Sequence, residues 1–157
     1  MKKIFLTICL SFIAFSTINA QEISENAIGI RFGDNNGVGA EISYQRRLTD
    51  MNRLEVDLGI RGNSSYSAFK ATGLYEWVWA LDGNFNWYAG AGGGLGSWNV
   101  KSTDASDTFI FGAGVVGVEY NFDIPLMVSL DFRPEIGFSD LYDGFNSDFG
   151  LSVRYQF

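Results

Sequence analysis

The stretch Ser147-Asp-Phe-Gly-Leu-Ser-Val-Arg-Tyr-Gln-Phe157 decides how this chain reads. Side chains alternate across a strand with period two, so Phe149, Leu151, Val153, Tyr155 and Phe157 share one face. Gly150, Ser152, Arg154 and Gln156 share the other. A greasy face backed by a face carrying an arginine is the pattern of a strand between two different media, and it ends on an aromatic residue.

The same alternation recurs upstream. Strands are expected near Ala27–Gly33, Val38–Arg47, Arg53–Arg61, Tyr66–Ala80, Phe85–Trp98, Thr108–Phe122 and Leu126–Phe138. Leu54, Val56, Leu58 and Ile60 against Glu55, Asp57 and Arg61 form the cleanest case, too regular at period two for a helix. Asp34-Asn35-Asn36-Gly37, Leu81-Asp82-Gly83-Asn84 and Asp123-Ile124-Pro125 punctuate the strands as turns, and Asn99–Asp107 and Ser139–Asn146 read as loops. Two places strain the pattern. In the sixth strand Phe111, Ala113 and Val115 have one parity and Val116, Val118, Tyr120 and Phe122 the other, which calls for a bulge near Val115-Val116. In the seventh, Pro134 needs a position that asks no ladder bond of its nitrogen.

Residues 1–20 read as a cleaved export signal: Lys2 and Lys3, an apolar run from Ile4 to Ile18, then Ala20 at the cleavage site. The only cysteine, Cys9, falls inside it. Residues 21–157 then form one domain without disulfide or thiolate metal site. No other segment is long and apolar enough for a membrane helix, but strands of a membrane barrel hide in ordinary composition. Nineteen glycines and fourteen phenylalanines against two prolines suit sheet and turns.

The closing strand, with Phe157 last and Tyr155 two residues before it, resembles the C-terminal assembly signal of bacterial outer-membrane β-barrels. The chain as a whole resembles the small eight-stranded OmpA-like and OmpX-like barrels. The resemblance implies an all-β, eight-stranded antiparallel up-and-down transmembrane barrel. It also implies insertion by the barrel-insertion machinery and residence in a Gram-negative outer membrane, with outer-membrane lipid as the partner of the greasy face. Its outer loops are shorter than an adhesive sheet would need, and no extracellular partner can be named.

Aromatics fit two interfacial belts. Tyr44, Trp77, Trp79, Phe85, Trp87, Tyr120, Phe122, Tyr155 and Phe157 lie near the periplasmic end. Phe32, Tyr66, Phe69, Trp98, Phe109, Phe138 and Phe149 lie near the other.

The polar faces bring Arg31, Glu41, Glu55, Asp57, Arg61, Lys70, Glu76, Glu119, Asp131, Arg133, Glu135 and Arg154 inward, with Arg47 and Arg53 on the same register. Seven acids against seven bases is the balance a buried network requires. The acidic excess of the chain is then left to its loops and ends: Asp34, Asp104, Asp107, Asp140, Asp143 and Asp148 on the outer rim, and Glu22, Glu25, Asp50, Asp82 and Asp123 on the periplasmic side, opposed by Arg46. A rim poor in Lys and Arg argues against nucleic acid as a partner.

The run Gly90-Ala-Gly-Gly-Gly-Leu-Gly96 lacks the Lys-Ser/Thr of a phosphate loop. Its glycines are expected to give room to long charged side chains from the opposite wall and to allow curvature. The chain has no histidine, so the catalytic histidine of the barrel enzymes that the resemblance brings to mind has no counterpart. No catalytic residue, cofactor or metal is assigned. A non-enzymatic structural or surface-interaction protein with a filled lumen is expected. Two alternatives are a small pore or carrier of an apolar ligand, with Leu74, Val78 and Met127 lining a cavity, and a soluble lipocalin-like barrel with its greasy face inward.

Overall fold

The computed structural model describes residues 23–33, 39–62, 66–100, 105–139 and 142–157. The expected leader, residues 1–20, lies outside them. Eight strands follow one another: β1 (Asn26–Phe32), β2 (Ala40–Arg47), β3 (Asn52–Gly62), β4 (Tyr66–Asp82), β5 (Phe85–Val100), β6 (Ala105–Asn121), β7 (Leu126–Ser139) and β8 (Tyr142–Gln156). Each pairs antiparallel with its sequence neighbours, and β1 pairs with β8, so the sheet is a closed barrel with no free edge strand.

The register fixes the shape. One cross-strand row runs from Ala27 through Gln45, Glu55, Leu74, Gly92, Ala113 and Glu135 to Asn146. Ala27 itself pairs with Gln156 on β8, ten residues further along that strand. A stagger of ten over eight strands tilts each strand by about 40° to the barrel axis.

Alternation then sorts the side chains. Ile42, Leu54, Leu58, Leu130 and Leu151 are exposed on the outside, while Glu55 and Arg154 are each 1% exposed on the inside. This is the reverse of a lipocalin, so the soluble barrel with a greasy interior is excluded. From Trp79 to Phe69 the outer face of β4 runs ten residues. At about 3.3 Å per residue and that tilt, this is roughly 25 Å along the axis, the height of a lipid-facing band. Stacked Trp79 and Trp87, 4.4 Å apart, belong to the lower girdle.

Turn chemistry follows the sequence. Gly83 adopts φ 52° in the two-residue link from β4 to β5, a left-handed conformation that glycine tolerates at no steric cost. Pro134 falls where the ladder between β6 and β7 is interrupted, with Gly114 opposite it.

Four expectations are corrected. The sixth strand has no bulge: its register with β7 is the same on both sides of Val115-Val116. Phe109, Phe111, Ala113 and Val115 are instead buried inside, so the change of parity marks an apolar stretch of lumen. Phe109 therefore leaves the outer aromatic belt, and Trp98 shares the inward register of Gly94 and Gly96 at the outer mouth. The expected loop Asn99–Asp107 is mostly strand, because Asn99 pairs with Ser106 and Trp98 with Asp107. Likewise β8 begins at Tyr142, inside the expected last loop, and along this strand Gly150 and Ser152 share the inward parity of Asp148. That aspartate is buried and not on the rim.

Candidate functional site

What the fold builds from these residues is a filled interior. Strands β1, β2, β3, β7 and β8 carry a single ladder of ionised groups. At its lower end Arg154 donates through Nε to Ser43 Oγ at 3.0 Å, through Nη1 to Ser129 Oγ at 2.8 Å and through Nη2 to Glu55 Oε2 at 2.9 Å. Gln45 donates to the same carboxylate. Arg133 Nη2 binds Glu55 Oε1 at 3.0 Å and Asp57 Oδ2 at 2.6 Å, and its Nη1 reaches Glu41 Oε2 at 3.4 Å. Arg31 completes the ladder through Glu41 at 3.3 Å, Asp131 at 2.6 Å and Asp148 at 2.8 Å.

Two smaller groups stand apart. Arg53 lies between Glu76 (2.6 Å) and Glu119 (2.7 Å), 4.8 Å from the centroid of the Tyr88 ring, and Asn86 donates to the far oxygen of Glu119 at 3.1 Å. Near the outer mouth Lys70 holds both oxygens of Glu135, at 2.7 and 2.8 Å, beside the Phe111 ring. Charges taken out of water are tolerated only when paired and hydrogen-bonded in this way.

Of the expected interior set, eleven residues are brought together: Arg31, Glu41, Glu55, Asp57, Lys70, Glu76, Glu119, Asp131, Arg133, Glu135 and Arg154. The side chain of Arg61 lies outside the described residues. Arg53 is the hub of the lower group, and Asp148, expected on the outer rim, joins the ladder from β8. A period-two count continued back from Ser152 would have found it. At the seam between β1 and β8 Asn26 and Phe157 exchange two main-chain hydrogen bonds of 2.9 Å, the last rung of barrel closure.

On the remaining wall, β4 to β6, Leu74, Val78, Tyr88, Phe109, Phe111, Ala113 and Val115 form one buried apolar cluster beside the inward Glu76, Asn86 and Glu119. Here the role expected of the glycines is corrected. A Cβ on Gly94 would meet the Phe111 ring, one on Gly96 the Phe109 ring, and one on Gly117 the Tyr88 ring. These glycines admit aromatic rings from the neighbouring strand, not charged side chains from the opposite wall. Among the described glycines, Gly150 makes room for a long cation, the guanidinium of Arg31 on adjacent β1. Met127 is buried but lies apart from the apolar cluster.

Solved structures of the same architecture complete the picture. The N-terminal β-barrel domain of Pseudomonas aeruginosa OprF superposes with a TM-score of 0.68 at 15% identity, covering 85% of this chain and 98% of that one. The fold is that of the small eight-stranded outer-membrane barrels. Neisserial surface protein A (TM-score 0.62, 15% identity, 84% and 94% covered) is another such barrel. So is Ail, the attachment invasion locus protein of Yersinia pestis (TM-score 0.58, 15% identity, 85% and 97% covered). No protein-family model and no curated protein matches the chain. The likeness to these barrels is therefore one of fold, at 15% sequence identity.

Proposed function

We propose that this chain is a non-enzymatic integral protein of the outer membrane whose lumen is sealed by its own ion pairs and whose role is structural or surface-interacting. The observation that carries this reading is the sorting of side chains: a continuous oily exterior around an ionic interior. No soluble protein gains by exposing so many large apolar residues, whereas lipid acyl chains cover them without cost. Residues 1–20 serve as the cleaved export signal, and Tyr155 and Phe157 as the signal read by the barrel-insertion machinery. Lipid is the immediate partner. Any extracellular partner meets the outer connections.

The competing reading, a small pore or carrier, needs a passage or a cavity. Against it stands the ladder from Arg154 to Asp148, which crosses the interior with consecutive partners within 3.4 Å. Cell fractionation, gel mobility with and without heating, and single-channel recording on the purified protein test the proposal together. Recovery in the membrane fraction, a heat-dependent mobility shift and a silent bilayer are expected. Recovery in the soluble periplasm without detergent ends the membrane reading. Steady conductance ends the sealed-lumen reading and leaves the membrane one standing.

A further inference from the structure

The lower mouth of the barrel is covered by the chain's own N-terminal segment. β1 begins at Asn26, yet Ile23, three residues earlier, is buried and belongs to the same apolar cluster as Leu74, Val78 and Tyr88. Val78 and Tyr88 are paired directly across β4 and β5. In a closed ring of eight, β5 lies four strands from β1, on the opposite wall. An isoleucine that leaves the start of β1 and packs with that cluster has to cross the mouth. Polar contacts hold the crossing in place: Gln156 Nε2 donates to Ser24 Oγ at 3.2 Å and to Asn121 Oδ1 at 2.8 Å, and the Arg47 amide donates to the Glu25 carbonyl at 2.9 Å. Outside, Glu25 pairs with Arg46 at 3.1 Å.

We propose that Ile23 is a stopper: residues 23–25 act as a strap that shuts the periplasmic mouth and shields the Arg53–Glu76–Glu119 group from water and small hydrophilic solutes. Burial of one isoleucine offsets only part of the entropy of ordering three residues, so the strap can open locally while the barrel stays folded. The proposal needs only the closed barrel. Membrane placement decides which compartment the mouth faces.

The test uses the exported chain purified in detergent, whose native cysteine, Cys9, falls in the expected leader. A reporter thiol is introduced by Val78→Cys, near the mouth, or by Ala113→Cys, higher in the lumen, and its reaction with a small cationic methanethiosulfonate is timed. With Ile23 present, Val78→Cys should label slowly. With Ile23→Ser added it should label roughly tenfold faster or more, and Ile23→Leu should keep it slow, since thiol reactivity follows access. Ala113→Cys should label at one rate in all three backgrounds. Equal rates for Val78→Cys with isoleucine and with serine overturn the stopper. Equal acceleration at Ala113→Cys also overturns it, because the barrel as a whole has then loosened. Neither result bears on membrane residence, which fractionation tests separately.

Discussion

Arg133 bridges two carboxylates that stand two residues apart on β3: its Nη2 lies 3.0 Å from Glu55 Oε1 and 2.6 Å from Asp57 Oδ2. Glu55 is shared in turn with Arg154, so Arg133 is the middle rung of the interior ladder.

Removing that rung leaves buried carboxylates with less compensation. Arg133→Met is expected to destabilise the barrel by about 3–5 kcal/mol, read as a lower urea midpoint for reversible unfolding in detergent. Adding Asp57→Asn to it should recover part of the loss. A double variant that is no better than the single one would mean that the Arg133–Asp57 pair is not coupled.

Glycines on opposite faces should behave differently. A side chain on Gly94 runs into the Phe111 ring and the Ala71 carbonyl, whereas Gly73 has open space outside. Gly94→Val is expected to cost about 1–3 kcal/mol through overpacking, and Gly73→Val to stay within about 0.5 kcal/mol of the parent. Similar melting temperatures for the two variants would contradict an inward Gly94 and an outward Gly73.

Lipid contact has a depth signature. Leu151 lies mid-strand on the outer face of β8, and Leu48 is exposed in the turn between β2 and β3. In bilayers Leu151→Lys should cost about 2–4 kcal/mol and Leu48→Lys at most about 1 kcal/mol. Equal costs, measured by folding titration into liposomes, would remove the bilayer from around Leu151.

The seam should be sensitive at one residue. Asn26 exchanges main-chain bonds with Phe157, and its Oδ1 accepts from the Tyr44 hydroxyl at 2.7 Å and from Arg46 at 2.8 Å. Asn26→Leu is expected to lose about 0.5–1.5 kcal/mol, the net worth of hydrogen bonds whose exposed donors turn to water instead. Deleting Phe157 should in addition lower the yield of inserted barrel in cells. An unchanged heat-dependent gel shift for Asn26→Leu together with an unchanged unfolding midpoint would refute the seam's contribution.

Much of the barrel was legible because its decisive signal is local. Period two on β3 or β8 needs no knowledge of any other strand, and once the outer face is taken as greasy the charges of the opposite parity must go inside. The errors came where that local signal fades. On β6 the lumen-facing residues from Phe109 to Val115 are themselves apolar, so hydropathy carries no phase there and an intact strand looked bulged. At residues 99–100, 105–107 and 142–146, polar and small residues in long paired hairpins looked like loop, and Asp148, beside the last of these stretches, read as rim. Ile23 gave no sign at all, since a lone isoleucine beside an expected leader carries no period.

By itself the sequence determined the strand count, the two faces of each strand and the presence of a charged interior, since alternation and composition are properties of the chain alone. Only the tertiary structure decided which carboxylate each arginine holds, that Phe109 and Phe111 lie over Gly96 and Gly94, and that Ile23 joins the buried apolar cluster of β4 to β6. Those outcomes depend on the stagger of ten residues around the ring, which sets the height of every inward side chain against strands far away in sequence.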